Sequence, residues 1–398
     1  MMLKSWQLVP LGEVLTERRE TPSSEKIETG EISIISKIGF NSGELQLRNE
    51  VKTNTGMILI RPGDLVVSGI NASKGAIAIY SETSQKLIAA TIHYGVYIPN
   101  RERVNLKYLW WFLRSSIFKD IVQQYIPGGI KTELRAKRLL NIRIPLPDLV
   151  EQNRILKQIE EISLFISNAQ IIRKESIIET KTLQSRAFDD ILLKGNYQIQ
   201  TLKDVLSEPL VNGLSIPASA IGKEGILFAK VGIVNSGKMN SIETKRVNIT
   251  LPENSNFWMK SGDIFVSRGN SLELVGRAAV YEGKPENCAF PDLLIRIRVN
   301  KMIVEPSYLV YFFQSAKARN YIESEASGTS PSMKKVSQPK LERMFIPIPP
   351  LEEQRKLVQH LDKLKKKIST LISLQTETQK EMDALMPSIL AKAFKGKF

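Results

Sequence analysis

The chain of 398 residues repeats itself once, and this repeat constrains its fold more than any other feature. Residues 61–68 (RPGDLVVS) return as residues 260–267 (KSGDIFVS), a shift of 199 positions. The proline-rich residues 144–155 return as residues 346–357, at a shift of 202. A shift that stays nearly constant through a whole half indicates a tandem duplication of one large unit, and not a solenoid of short repeats.

Both copies of the proline-rich segment predict an extended stretch that turns directly into a helix. The first copy reads IPLPDLVEQNRI and the second reads IPIPPLEEQRKL. Proline fixes φ, disfavours a helical conformation at the residue before it and is tolerated in the first helical turn. Asp148 is placed to cap the first helix, with Glu151 as its capping-box partner. Glu352 and Glu353 lie at the positive end of the second helix dipole, which stabilises them.

The residues behind each proline-rich segment predict a long helix with a seam at alternating spacings of four and three residues. Such heptad spacing favours coiled-coil pairing of the two helices. The alternative is that each helix packs only on its own domain. In the second copy the seam positions are Leu357, Leu361, Leu364, Ile368, Leu371, Gln375, Thr378, Met382 and Leu385. In the first copy they are Ile155, Ile159, Ile162, Ile166, Ala169, Arg173, Ser176, Thr180 and Leu183.

Within each half, the pattern before the proline-rich segment mixes strands and helices. A Gly-Asp pair followed by apolar residues 65–67 predicts a tight turn that enters a buried strand. Residues 75–80 predict its hairpin partner, and residues 105–119 have the aromatic and leucine spacing of a helix on the sheet. The same elements recur in the second half, so each half predicts an α+β domain.

These patterns divide the chain into four segments. Residues 1–148 and 196–348 are predicted to be the two domains, and residues 149–195 and 349–398 the two long helices. A chain of this length is expected to form more than one core.

The composition favours a polyanionic partner. Lys and Arg number 56 against 41 for Asp and Glu, a net charge of +15 at pH 7. An excess of this size is typical of proteins that bind nucleic acid, the alternative being a merely soluble basic protein. The single cysteine, Cys288, excludes an internal disulfide and fits a reducing compartment. Because the sequence shows no signal-peptide core and no apolar run long enough to cross a bilayer, we expect a soluble, cytoplasmic protein without a membrane partner.

The sequence shows few of the motifs that are typical of enzymes. It has no phosphate-binding loop of the G-x-x-x-x-G-K-[ST] type and no N-P-P-Y loop of an adenine methyltransferase. The two histidines, His93 and His360, are isolated, which argues against a histidine metal site or a catalytic triad. We therefore predict structural roles for both histidines, and a chain that recognises its partner without catalysing a reaction.

Two kinds of segment are candidates for contact with nucleic acid. The loops after the Gly-Asp strands differ between the halves while their flanks match, and they carry side chains that can address base edges. Basic segments beside glycine-bearing loops are candidates for phosphate contact, the alternative being solvated charged turns. The loop candidates are Ser68, Asn71, Ser73, Lys74, Ser267, Arg268 and Asn270. The basic-segment candidates are Lys131, Arg135, Lys137, Thr329, Ser330, Lys334 and Lys335.

The duplicated I-P-x-P-x-L-x-E-Q segment, twice placed between an α+β domain and a long helix, resembles the specificity subunit of type I restriction–modification enzymes. The resemblance covers essentially the whole chain, including the G-D-[LI]-[VF]-V-S segments and the A-F-K-G run at residues 393–396. The departures are modest, because Asp148 and Val150 stand where the second copy has Pro and Glu.

This resemblance implies an α+β fold with two tandem-duplicated target recognition domains, separated by two long helices that pair as an antiparallel coiled coil. Each domain would read one half of a bipartite, asymmetric site in double-stranded DNA. The helices would set the spacer and dock two modification subunits, which methylate adenine with S-adenosylmethionine. Restriction subunits would cleave DNA with ATP and Mg. The chain itself would be non-catalytic and would bind no cofactor or metal.

The E-Q pairs at the helix starts are predicted to contact a partner subunit or to begin the helices. They are Glu151, Gln152, Glu353 and Gln354. A different class of function, a tandem-domain interaction adaptor on a coiled-coil stalk without sequence-specific DNA binding, remains open. The salt dependence of DNA affinity would separate the two, because phosphate neutralisation gives a steep slope.

Overall fold

The structure, a computed structural model, describes residues 6–40, 42–48, 55–125, 133–235, 237–330 and 332–397. The chain divides into two compact units, one of residues 1–172 and 377–398 and the other of residues 173–376. We call them unit 1 and unit 2. Each unit contains one repeated domain and a part of both long helices.

The first domain alternates short strands with short helices. Its strands are β1 (Gln7–Pro10), β2 (Leu15–Glu17), β3 (Ser33–Ile38), β4 (Leu45–Arg48), β5 (Met57–Ile60), β6 (Leu65–Ser68), β7 (Ile77–Ile79), β8 (Ile88–Thr91), β9 (Tyr94–Pro99) and β10 (Arg143–Leu146). Its helices are α1 (Ser24–Glu28), α2 (Leu106–Arg114), α3 (Ser116–Tyr125) and α4 (Ala136–Asn141), and the long helix α5 (Leu149–Leu192) follows.

The strands of the first domain form two four-stranded sheets, β2-β9-β6-β7 and β4-β3-β8-β5, and the pair β1-β10. Strand β6 is buried along its whole length, as the apolar residues after the Gly-Asp pair predict. Asp64 shapes the turn before it by accepting a hydrogen bond from the Arg61 amide at 2.8 Å. The Arg18 guanidinium pairs with the same carboxylate through two bonds of 2.7 and 2.9 Å, so the buried charge is compensated.

The second domain repeats this order. Its strands are β11 (Gln198–Thr201), β12 (Val211–Asn212), β13 (Ile221–Gly222), β14 (Ile226–Ala229), β15 (Thr244–Val247), β16 (Ile264–Ser267), β17 (Gly269–Asn270), β18 (Ala278–Val280), β19 (Cys288–Ala289), β20 (Leu294–Ile297), β21 (Lys334–Lys335) and β22 (Phe345–Ile348). Its helices are α6 (Pro306–Gln314), α7 (Ala316–Glu325) and α8 (Gln338–Glu342), and the long helix α9 (Leu351–Ala393) follows.

The sheets of the second domain follow those of the first, except that one of them gains β13 and has only the isolated bridge between Trp258 and Ala289 where the first domain has β5. They are β12-β20-β16-β18, β13-β15-β14-β19 and the pair β11-β22, to which the second domain adds the short ribbon β17-β21. Each domain has one parallel pair of strands, β3-β8 in the first and β14-β19 in the second, among the strands that the structure describes. Asp263 repeats the role of Asp64, but its guanidinium partner comes from Arg298, at 2.6 Å.

Both long helices contribute to the core of each unit. In unit 1, Phe394 at the end of the chain's last helix packs edge-on against Tyr108 and Phe112, with ring centroids 5.4 and 5.2 Å apart. In unit 2, Phe188 near the end of α5 packs edge-on against Tyr311 at 5.4 Å. These aromatic contacts tie the end of each helix to a sheet-packed helix of the domain.

Within each unit the parts of α5 and α9 run antiparallel. In unit 1 the residues of α5 near its start share a core with Leu390 and Phe394, and Gln170 further along donates to Asp383 at 2.8 Å. In unit 2, Gln375 donates to Ser176 at 2.9 Å, while Leu192 shares a core with Leu361. The expected fold, two duplicated α+β domains with two long helices paired antiparallel, is confirmed.

The predicted seam is wrong at Leu183, Leu371 and Leu385, which are exposed. A helix has 3.6 residues per turn, so a strict 3.5-residue seam drifts across its surface unless the helices supercoil to follow it. In α9, Ile372 and Met386, one position later, are less exposed than the leucines before them. None of the described helices is long and apolar enough to cross a membrane.

Candidate nucleic-acid interface

Three segments of unit 1 converge at one end of strand β6. The loop after β6 begins at Gly69, whose amide donates to the His93 carbonyl oxygen at 2.9 Å in the turn between β8 and β9. The Gly69 carbonyl oxygen accepts from the Leu134 amide at 2.8 Å. A side chain at position 69 would collide with the His93 carbonyl oxygen, so the close approach of these segments requires glycine. The structure therefore brings the predicted loop beside the predicted basic segment.

The basic side chains of this cluster point into solvent. The Arg135 side chain is 81% exposed and lies 3.2 Å from the Glu133 carboxylate, and Lys137 and Lys74 are also exposed. Asn71 and Ser73 are half-buried, and Asn71 starts the single helical turn that Gly75 ends in a left-handed conformation. The predicted contact Lys131 lies outside the described residues.

Unit 2 assembles the same three segments more tightly. The Arg268 amide donates to the Leu293 carbonyl oxygen at 2.8 Å, and the Arg268 carbonyl oxygen accepts from the Val336 amide at 2.9 Å. Gly269 and Asn270 pair with Lys335 and Lys334 in the ribbon β17-β21. The loop and the basic segment, which are more than 60 residues apart in the sequence, thus form one continuous surface.

This surface holds the predicted contacts of the second domain. The Arg268 guanidinium donates to the Asp292 carbonyl oxygen at 3.4 Å, and the Lys334 ammonium donates to the Gly328 carbonyl oxygen at 2.6 Å. Lys335, Thr329 and Ser330 are exposed, and Asn270 is half-buried. Exposed donors beside backbone amides are the groups that position a DNA phosphate.

Two of the predicted base contacts are wrong. Ser68 is 6% exposed and Ser267 is 0% exposed, so neither hydroxyl is available to a base edge. Each is the last residue of a strand that is buried along its whole length. Ser68 instead holds the loop, because its hydroxyl accepts a hydrogen bond from the Asn71 amide at 3.3 Å.

Sequence reasoning missed the apolar side chains at the rim of the first cluster. Ile70 in the loop, Ile92 in the β8-β9 turn and Phe40 are exposed, and the Lys74 ammonium lies 5.9 Å from the Phe40 ring centroid. Exposed apolar groups beside basic ones suit contact with thymine methyl groups and sugars. The signal was Ile70, an aliphatic residue in a loop whose other members are polar or small.

His93 lies between two strands, in the turn that joins β8 to β9. Its side chain is 54% exposed in the β8-β9 turn, and its Nδ1 lies 3.2 Å from the Glu133 carboxylate. Burial raises the pKa of Glu133, but hydrogen bonds from His93 and Arg135 outweigh it and hold that pKa below its usual value. Glu133 is therefore ionised at neutral pH, and it links the β8-β9 turn to the basic segment.

The two glutamines of the E-Q pairs lie in the interior, at 0% exposure. Gln152 accepts from the Asn105 amide at 2.8 Å and donates to the carbonyl oxygens of Arg103 and Pro147 at 3.1 and 2.8 Å. This burial contradicts a subunit contact by the side chain. Gln152 instead ties the start of α5 to the start of α2.

Gln354 makes the same three bonds in unit 2. It accepts from the Glu305 amide at 2.8 Å and donates to the carbonyl oxygens of Ile303 and Pro349 at 2.8 and 2.7 Å. A subunit contact by this buried side chain is contradicted as well. The repeated geometry explains why the same residue type stands at both helix starts.

The acidic members of the E-Q pairs are less buried. The Glu151 amide donates a hydrogen bond to the Asp148 carboxylate at 2.8 Å, which is the predicted cap. The Glu151 carboxylate pairs with Arg154 at 2.6 Å. Glu353 is half-buried near the start of α9. Contact of Glu151 or Glu353 with a partner subunit stays a prediction.

The described residues offer no group of three or more His, Cys, Asp or Glu side chains arranged to hold a metal ion. Cys288 is buried in strand β19, and burial raises the pKa of its thiol to about 12. A thiol in this state is a poor nucleophile at neutral pH.

Comparison with known proteins identifies relatives of the whole chain. The family model described as "Type I restriction modification DNA specificity domain" matches residues 4–176 and 195–379. The specificity subunit of the type I restriction enzyme EcoKI from Escherichia coli K12 is 23% identical over 360 residues, which cover 85% of this chain and 75% of the relative. The StySPI specificity subunit from Salmonella potsdam is 21% identical over 352 residues, with the same coverage of both chains.

Two solved structures share the fold. A chain from a structural study of complex assembly and conformational transition of the type I R-M system superposes with a TM-score of 0.71, at 22% identity over 100% of both chains. The HsdS subunit from Thermoanaerobacter tengcongensis superposes with a TM-score of 0.51, at 22% identity over 99% of this chain and 98% of that one. At this identity the likeness establishes the architecture.

Proposed function

Because the chain belongs to the family of type I restriction modification DNA specificity domains, we propose that it is the DNA-recognition subunit of a type I restriction–modification complex. The observation that carries the proposal is the convergence, in both units, of a variable loop and a basic segment on one surface. In unit 2 the two segments are hydrogen-bonded as the ribbon β17-β21. A basic surface with a loop of different sequence in each copy is what two readers of different bases need.

Each unit reads one half of a bipartite, asymmetric double-stranded site. The exposed cations of the basic segments bind phosphate: Arg135 and Lys137 in unit 1, Lys335 in unit 2. The loop side chains address bases, with Arg268 and Asn270 in unit 2 and Asn71 and Lys74 in unit 1. Ile70 and Ile92 add apolar contact in the first half-site. The phosphate contacts give affinity, and the loops give specificity.

The chain is non-catalytic and directs partner subunits to the site. Two modification subunits dock on the chain and methylate adenine with S-adenosylmethionine, and restriction subunits cleave DNA with ATP and Mg. These cofactors belong to the partners, and the complex works in the cytoplasm on cellular DNA. Support comes from the family to which the chain belongs.

Co-expression of the chain with its modification subunits in a methylation-free host tests the proposal. Genome-wide mapping of adenine methylation should show one motif with two fixed parts separated by bases that are not read. Omission of the chain should abolish the motif, and the chain alone should methylate nothing. A continuous motif, or methylation by the chain alone, would contradict the proposal.

A further inference from the structure

Unit 1 contains an open groove of about 620 Å³ between α2 and the first part of α5. One wall is formed by Trp110 and Trp111 on α2. The other is formed by Glu160, Ser163 and Leu164 on α5. None of the roles proposed above uses this groove.

The tandem duplication provides the same place in unit 2 for comparison. Tyr308 lies 200 positions after Tyr108, and the same shift matches Trp111 with Tyr311. The shift of 202 that relates the proline-rich segments relates Glu160 to Asp362 and Ser163 to Lys365. The aromatic wall and the carboxylate are therefore present in both units, but only unit 2 has a lysine between them.

Lys365 fills this place in unit 2. Its ammonium lies 5.6 Å from the Tyr311 ring centroid and donates to the Gly237 carbonyl oxygen at 3.4 Å. The Tyr311 hydroxyl donates to the Asp362 carboxylate. Burial lowers the pKa of Lys365, which shows that its ammonium is withdrawn from water. The unit 2 site is thus built for a cation between an aromatic face, a carbonyl oxygen and a carboxylate.

Unit 1 keeps the walls of this site and leaves its centre open. Gly43 matches Gly237, with the same φ of +70°, and lines the groove. Ser163 is too short to reach the aromatic wall. Lys107 pairs with Glu160 at 3.0 Å, but its side chain is 66% exposed, so it lies at the rim. Arg114 stacks on Trp110 at 4.1 Å and is more distant from Trp111 at 5.9 Å.

We propose that the groove of unit 1 binds a lysine or arginine side chain of a protein partner, which takes the place that Lys365 fills in unit 2. Trp111 offers the cation a stronger aromatic face than the tyrosine of unit 2, and Glu160 supplies the compensating charge. Leu164 lines the groove, is exposed, and covers the aliphatic stem of the incoming side chain.

The site is asymmetric within one chain. The position that matches Leu164 in the second helix is Lys366, so α9 presents a cation where α5 presents an apolar group. A basic partner segment is therefore attracted to unit 1 and repelled from unit 2. This inference rests on the proposed function, because the partner is a modification subunit that docks along α5.

The test uses the full-length chain, purified and titrated with the modification subunits. Ser163→Lys places a lysine in the groove, as in unit 2, and should weaken the association about tenfold, the effect of blocking one anchor residue. Asn168→Lys adds the same charge at an exposed position outside the groove and should leave the affinity unchanged. Circular dichroism and thermal melting of each variant check that it folds.

Glu160→Gln identifies the occupant. With a basic occupant it should weaken the association about fivefold, as the loss of one charge partner does. If Ser163→Lys leaves the affinity unchanged, the groove is not used and the inference is wrong. If Ser163→Lys weakens the association but Glu160→Gln does not, the occupant is apolar and the inference is wrong as well. If the unmodified chain itself fails to bind modification subunits, the proposed function is wrong instead.

Discussion

Gln152 and Gln354 show how one side chain can fix the geometry of a whole repeat. Each makes hydrogen bonds to three backbone groups. Two of those groups lie just before the helix that packs on the sheet, which is α2 in unit 1 and α6 in unit 2. The third belongs to the proline-rich segment. Because these bonds are buried, water cannot replace them, and their loss lowers the stability of the fold.

Gln152→Leu should lower the free energy of unfolding by about 3 kcal/mol, since it leaves three buried backbone groups without partners. Urea unfolding followed by circular dichroism measures the change. Asn153→Ala at the next, exposed position removes a bond to the Asn105 side chain and should cost less than about 1 kcal/mol. Equal losses for both variants would contradict the role given to Gln152.

Lys137→Ala and Lys335→Ala should weaken DNA binding by the assembled complex for every sequence alike. If each lysine neutralises one phosphate, the slope of log affinity against log salt falls by about 0.9 in each variant. Lys367→Ala, an exposed lysine of α9, serves as the control and should leave the slope unchanged. A sequence-dependent loss in Lys137→Ala would show that this residue reads bases. A shallow slope in the unmodified complex would favour the adaptor function.

Among the elements, the long helices carry a polar layer where apolar residues would pack better. Gln375 is buried, donates to Ser176 and Thr180 at 2.9 and 3.4 Å, and leaves its carbonyl oxygen without a partner among the described residues. A buried polar residue in a helix pair commonly fixes register at a cost in stability.

Gln375→Leu should therefore raise the free energy of unfolding by about 1 kcal/mol, the cost of one unsatisfied buried group. Ser373→Ala, at an exposed position two residues before Gln375 on the same helix, should change it by less than about 0.5 kcal/mol. Urea unfolding measures both. A less stable Gln375→Leu chain would mean that the hydrogen bonds to Ser176 and Thr180 outweigh the unpaired oxygen.

Local sequence patterns predicted the elements that depend on neighbouring residues. The Gly-Asp turn, the strand after it and the Asp148 cap all follow from residues within a few positions of one another. The roles of Gln152 and Gln354 were not predictable in this way, because their partners lie up to 49 and 51 residues away. The exposure of Leu371 was missed because a heptad count ignores the drift of a straight helix.

Across the whole molecule, the duplication explains both what the halves share and where they differ. The sheets, the buried glutamines and the aspartates before β6 and β16 are kept. The loops at residues 70–74 and 270–274, and the groove at Ser163, are not. Shared parts are those that hold the fold, and divergent parts are those to which we assign recognition of DNA or of a partner.

The candidate surface was predictable in composition but not in detail. Its loop and basic segment were identified from the sequence, yet their contact in unit 2 depends on a ribbon between distant residues. Ser68 and Ser267 are buried because β6 and β16 are buried on both faces, and the sequence does not show that these strands extend as far as the serines. The apolar rim at Ile70 and Ile92 emerges only when the two turns are seen side by side.

The central claim is that each unit reads one half of the site. In its most direct test, residues 70–74 are exchanged for those of a relative with a different known site, while Ser68, Gly69 and Gly75 are kept. Adenine methylation is then mapped in cells that also express the modification subunits. The account predicts that one half of the motif changes while the other half and the distance between them stay the same. Exchange of residues 270–274 should change the opposite half. A change in both halves after either exchange would contradict the claim.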